Sequence, residues 1–357
     1  MKKNLLKILA ALTLALSVLC SCGAKSGGGI LKIDGKDVKV QTILTIGDTE
    51  ISYDMYRHWF MNIKNSMLED VPNTDFTKQE NIDALKAKTL EQLEYMCATR
   101  AIAKKYDIKL TEKHNEEIES IMKEAFNSAG SAEDYRALLA ENFLTDEVYR
   151  AILEVNYLND YILSDFVGTD KTKHKIVFTQ EDALKKCNED FYRYVDLFFT
   201  VAVQDEEGND LSKEQIEKNK KEAEKKINAA YDKIAAGKPF LEVLKEYRTG
   251  DDYEASLLGY YKPESVSSTF DIDARALKIG ETTKPLYANN AYLIIHRLEN
   301  VDEHFIKNGV SPDGYNTVSI EQYYAESLLG TMAEEEMKKF KVTKCEYYDK
   351  ITPETLS

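Results

Sequence analysis

Along most of this chain apolar residues recur every three or four positions, and at Tyr194 that rhythm breaks. Tyr194-Val195-Asp196-Leu197-Phe198-Phe199-Thr200-Val201-Ala202-Val203 is rich in β-branched and aromatic residues and reads as a strand. Helical patterns lie on both sides of it. The chain therefore falls in the α+β class, with a small sheet-containing unit set into a mostly helical body.

Upstream, residues 38–46 alternate as a short strand, and Gly47-Asp48 makes a turn. Ile51-Ser52-Tyr53-Asp54 then opens a helix with Ser52 as N-cap. Met55, Trp59, Ile63 and Met67 form one stripe at four-residue spacing, either core or a surface for greasy partners. Pro72-Asn73 ends that helix. A second runs from Asn81 to Tyr106, and a third from a Thr111 cap to a Gly130 stop. Two more follow at 131–140 and 145–168.

Downstream of the strand, Asp205 to Asn209 is a turn and Ser212 caps a charged helix ending at Gly237. Its mixed signs (Lys218, Lys220, Lys221, Glu222, Glu224) read as a solvated face. Short helices follow at 240–247 and 268–277. Strands at 285–287 and 291–298 flank an Asn289-Asn290 hairpin signal. The order is β-α-α-α-β-β. A helix at 318–339 and a strand at 341–348 complete the chain, so the helical ends bracket the insert and are expected to fold together.

The 357 residues suit two folded units, or a third small one, and 43% hydrophobic residues supply a packed core. Asp and Glu number 62 against 47 Lys and Arg, a net charge of −15. Such acidity argues against a nucleic-acid partner, which demands a basic face, and against holding a membrane by charge alone.

Only the N-terminus is apolar enough to enter a bilayer. Lys2, Lys3 and Lys7 precede an apolar stretch from Ile8 to Leu19, the build of a secretory signal peptide over residues 1–21. It ends in Leu19-Cys20-Ser21-Cys22-Gly23, which resembles a bacterial lipobox. That resemblance implies lipidation at Cys22 and anchoring in a lipid bilayer, on the extracytoplasmic face of the membrane. Losing Lys2, Lys3 and Lys7 with the signal takes the charge from −15 to −18. Residues 22–37 are Gly-rich and read as a flexible tether. Cys97, Cys187 and Cys345 remain, an odd number without zinc-like spacing. They read as core thiols, with one disulfide open to any pair of them.

Three further stretches carry a family resemblance. Leu44-Thr45-Ile46-Gly47-Asp48-Thr49-Glu50-Ile51-Ser52 resembles the start of the helical chaperone domain in extracytoplasmic foldases of the PrsA and SurA type. Ala229 to Phe240, running on through Leu244-Lys245-Glu246-Tyr247, resembles the first two helices of a parvulin-type prolyl isomerase. Leu258-Gly259-Tyr260-Tyr261, Ala276 to Glu281 and Ala291 to Ile295 follow in the parvulin order. The resemblance implies a chaperone domain over 38–189, a parvulin-like domain over 190–300, and a C-terminal segment, 301–357, returning to the chaperone domain.

An active parvulin needs an apolar slot for the proline ring and a polar cluster of two histidines with an Asp or Cys. On the resemblance, Val266 and Phe270 take slot positions, and the inner aromatic falls at Arg275. The polar positions fall at Phe198, Leu257 and Leu293, all apolar. His296 lies three residues beyond Leu293, and strand alternation points the two to opposite faces. It reads as a rim or surface residue. No metal or cofactor is implied. The expectation is a lipid-anchored holdase or foldase for unfolded secreted polypeptides with a weak or inactive isomerase domain, its oligomeric state open and a dimer compatible. The alternatives are a working prolyl isomerase and, last, a solute-binding lipoprotein.

Overall fold

The structure, a computed structural model, describes residues 29–263 and 269–356. The lipidation candidate Cys22 lies outside the described residues. The chain divides into two compact units, one made of the residues up to Val177 together with those from Ala325 onward, the other of Phe178–Tyr324.

The first unit begins with a hairpin, β1 (Leu31–Ile33) and β2 (Lys36–Val38), followed by β3 (Thr42–Ile46) and β4 (Thr49–Ser52). Gly47, in the β3–β4 turn, sits at φ +60°, and a Cβ there would press on the Phe340 ring at 3.2 Å. The strand β4 was not expected; its last two residues, Ile51 and Ser52, were read as the opening of the first helix. Helices α1 (Tyr53–Asp70), α2 (Gln79–Lys105), α3 (Glu112–Ala129), α4 (Ala132–Glu141) and α5 (Asp146–Tyr161) follow. The Ser52 hydroxyl accepts from the Met55 amide, and the Thr111 hydroxyl from the His114 amide; Gly130 closes α3 in the left-handed region.

Helix α5 stops short of the expected 168. A π-turn, Ile162–Phe166, and the two-residue strands β5 (Val167–Gly168) and β6 (Ile176–Val177) replace its end. Gly168 is packed against the His174 ring, where a side chain would collide at 2.4 Å.

The Met55–Met67 stripe is core. Trp59 is fully buried and Ile63 nearly so, while Met55 and Met67 pack partly buried on the same cluster. The C-terminal helix α12 (Ile320–Met337; α6–α11 belong to the second unit) leads to β11 (Val342–Lys344). β11 pairs antiparallel with β3, Val342 opposite Ile46 and Lys344 opposite Leu44, giving the sheet order β11-β3-β4. The two ends of the chain thus share one sheet.

The second unit contains α6 (Gln180–Asp190), β7 (Phe191–Thr200), α7 (Lys213–Ala235), α8 (Phe240–Tyr247), α9 (Asp251–Leu258), β8 (Tyr260–Pro263), α10 (Thr269–Ala276), β9 (Leu286–Ala288), β10 (Ala291–Leu298) and α11 (Asp302–Asn308). Its antiparallel sheet has the order β8-β7-β10-β9. Asn289 and Asn290 both have positive φ, 49° and 57°, the geometry of a tight hairpin turn. The strand expected at 194–203 begins and ends three residues earlier. The expected β-α-α-α-β-β order lacked α9 and β8. β8 is a four-residue edge strand ending in Pro263, too short and too irregular to announce itself by alternation. The unit also extends past 190–300 on both sides, because the Phe191 ring packs on Phe305 and Tyr323, and the Tyr323 hydroxyl donates to Asp190.

His58, fully buried on α1, has Nδ1 2.9 Å from the Asn142 carbonyl, so Nδ1 carries the proton and donates. Burial pushes the imidazole pKa down to about 4. Between about pH 6.5 and 4 the unfolded chain binds a proton that the folded chain refuses, so this contribution to stability is complete above pH 6.5 and is lost as pH falls. The expected outcome is that denaturant unfolding shows the advantage of the native chain over His58→Gln shrinking by about 3 kcal/mol from pH 7 to pH 4.

Candidate functional site

The register of the β7–β10 ladder decides what faces what. Phe198 lies opposite Leu293, Asp196 opposite Ile295, and Tyr194 opposite Arg297. With alternation, the even residues of β7 and the odd residues of β10 share one face. On it Tyr192, Tyr194, Leu293 and Ile295 form a buried cluster with Ala274 of α10. The opposite face packs Val195, Leu197 and Ile294 against Ile227 and Ala230 of α7 and Phe240, Val243 and Leu244 of α8.

Phe198 and Leu293 are therefore neighbours on the α10 face, Leu293 buried and Phe198 43% exposed. Leu257, at the end of α9, is held through its backbone: its carbonyl accepts from Arg193 Nη2 at 2.5 Å. Gly259 follows at φ +72°, where a Cβ would meet the Tyr194 carbonyl oxygen at 2.9 Å, so the chain crosses β7 too closely for a side chain. Val266 lies outside the described residues. Phe270 falls in α10, and its side chain is likewise outside the description.

His296 is on the α7–α8 face, away from Leu293 as strand alternation requires. It is half-buried, at the rim of that face: its ring stacks on Phe240 at 4.8 Å and 5°, with Nδ1 2.9 Å from the Thr282 hydroxyl. Burial pushes its imidazole below the ordinary value. His304 of α11 stacks on Tyr261 at 3.9 Å. No other histidine exists between His174 and Tyr324.

Two residues of the α10 face went unassigned in the sequence. Asp196 is the one acidic residue inside the aromatic run of β7; it is half-buried, and burial raises its carboxyl pKa against the opposing pull of Arg248. Arg248, just past α8, places Nη2 3.6 Å from Asp196 Oδ1 and its guanidinium carbon 4.9 Å from the Phe198 ring centre. Its Nη1 donates to the Ser256 hydroxyl at 2.7 Å. The signal was available: a carboxylate in the middle of an apolar strand must be paired or exposed.

The site thus offers an exposed aromatic ring, an apolar wall and one carboxylate–guanidinium pair. Such a surface can hold an extended chain through ring contacts and main-chain hydrogen bonds. Among the described residues no group of side chains could hold a metal ion.

Arg248→Met leaves the half-buried Asp196 carboxylate without its counter-charge. The unit is expected to lose about 1–3 kcal/mol at neutral pH, with part regained at pH 5, where Asp196 protonates more readily folded than unfolded. Urea melts of the native, Arg248→Met and Asp196→Asn/Arg248→Met chains at both pH values measure this.

Three solved structures resemble the chain weakly. A peptidylprolyl isomerase, PrsA of Bacillus anthracis, is 18% identical with a TM-score of 0.28 and covers 69% of this chain and 96% of its own. PrsA of Bacillus subtilis is 15% identical with a TM-score of 0.24, covering 88% and 92%. The foldase protein PrsA of Streptococcus pneumoniae is 15% identical with a TM-score of 0.21, covering 78% and 87%. At those TM-scores the whole-chain likeness establishes no common arrangement. No curated protein matches the chain. The family model that does match is narrower and begins after β7: over residues 208–299 the chain is similar to the rotamase family, the PPIC-type PPIase domain.

Proposed function

We propose that this chain is a lipid-anchored, extracytoplasmic folding factor that shelters unfolded secreted polypeptides, and that its parvulin-like domain, residues 190–300, has little or no isomerase activity. The observation that carries the reading is a PPIC-type match at 208–299 beside a β7–β10 face whose facing pair is Phe198 and Leu293. Isomerising a prolyl bond means favouring a twisted amide across a barrier of about 18–20 kcal/mol. The two imidazoles of the unit are engaged elsewhere, His296 on Phe240 and His304 on Tyr261. Fold alone does not confer the activity; the site has to.

The Cys22 anchor is supported by the signal-like leader and the lipobox resemblance. No helix among the described residues is long and apolar enough to cross a membrane. Two acyl chains would hold the protein stably where one would not. The charge of −18 after signal removal draws clients with apolar and basic segments.

A working isomerase is the second reading, favoured by the Asp196–Arg248 pair, which places a carboxylate and a guanidinium at the same face. A proline-peptide assay separates the two. The expected result is relaxation at the uncatalysed pace of tens to hundreds of seconds, together with suppressed aggregation of a denatured protein in light scattering. Acceleration abolished by Phe270→Ala would establish the second reading instead. For the anchor, Cys22→Ser is expected to move the protein from the detergent phase to the aqueous phase on cloud-point partition and to abolish labelled fatty-acid incorporation.

A further inference from the structure

The first unit holds a second feature that can take a polypeptide. β4 ends the sheet β11-β3-β4, and among the described residues no strand lies along its outer edge. An open edge presents unpaired main-chain N–H and C=O groups, which is why folded proteins usually cover or blunt one. Here Thr49, Glu50, Ile51 and Ser52 instead form one wall of a pocket of about 240 Å³. Met55 of α1, Leu93, Met96 and Cys97 of α2, and Val148 and Ala151 of α5 form the rest of its apolar lining. That volume is below the usual small-molecule range of about 300–1,000 Å³ and suits one bulky side chain. Methionines on two walls can adjust to side chains of different shape.

The rim gives the charge of the occupant. Glu50 and Glu147 are both exposed at the mouth. Arg100, the one basic residue of the lining, is turned to the Ala151 carbonyl at 3.4 Å and to Glu154 at 4.0 Å. The mouth is therefore acidic around an apolar floor, with a β-edge beside it.

We propose that an extended segment of an unfolded polypeptide docks here by adding a strand to β4, seating one large apolar side chain in the pocket and placing flanking lysine or arginine against Glu50 and Glu147. The segment gains affinity from main-chain hydrogen bonds, which are indifferent to sequence, and selectivity from the seated side chain and its basic flanks. The assignment rests on the folding-factor reading for its client, and it locates capture in the helical unit, apart from the β7–β10 face.

The test uses the full chain and a short fluorescein-labelled peptide alternating Thr and Val around a central Phe, with Lys at both ends. Fluorescence anisotropy is expected to show saturable binding, about tenfold weaker when the lysines become glutamates. Two N-methylated peptides, each blocked on one alternate set of amides, are expected to differ: one loses about tenfold or more in affinity and the other keeps it. Ala151→Trp, which fills the pocket, is expected to weaken binding by at least as much. Equal affinity of the two methylated peptides, or unaltered binding to Ala151→Trp, overturns the assignment. Should Ala151→Trp fail to fold by circular dichroism, the methylated pair on the native chain still decides. Aggregation suppression by the native chain is measured alongside. Protection without edge-dependent peptide binding removes this site and leaves the folding-factor reading standing, whereas absence of protection removes that reading and this site with it.

Discussion

The hydrogen-bonded ladder between Phe191–Thr200 and Ala291–Leu298 determines the chemistry of the second unit. Its register puts Phe198 beside Leu293 and sends His296 through the sheet to Phe240. A slip of β10 by one residue would turn its side chains over, bringing the His296 imidazole to the α10 face and sending Leu293 to the other. Both faces are covered by helices, α10 on one and α7 with α8 on the other, so the register is held by burial as well as by hydrogen bonds.

What the sequence made legible was what local chemistry dictates. Ser52, Thr111 and Gly130 mark helix ends because their side chains, or the lack of one, answer a backbone need within a single turn. Asn289-Asn290 announces its hairpin because few other residues tolerate two consecutive positive φ angles. The apolar stripe of α1 announces a buried face, and the structure places it in the core. What stayed hidden depends on distant partners. β4 and β8 are four residues long and exist because β3 and β7 pair with them. The break of α5 into a π-turn comes with the β5–β6 pairing, fixed by Gly168 against His174. Arg248 could not be assigned from its own neighbourhood, since its role is set by Asp196, 52 positions earlier in the chain.

Two surfaces on one chain answer different demands. The β7–β10 face has an aromatic ring and a single ion pair, next to a segment, residues 208–299, that is similar to the PPIC-type PPIase family. The β4 edge has main-chain groups, an apolar floor and acidic rims. Ring stacking and backbone pairing read shape and polarity, not residue order.

The pairing of Val342–Lys344 with Ile46–Leu44 has a consequence for biosynthesis. A chain made from its N-terminus delivers Phe178–Tyr324 as an uninterrupted stretch, able to collapse on its own, while β3 waits for a strand almost three hundred residues away. The helical unit is thus the last part of the molecule to mature, and until its C-terminal strand is made one edge of β3 stays unpaired.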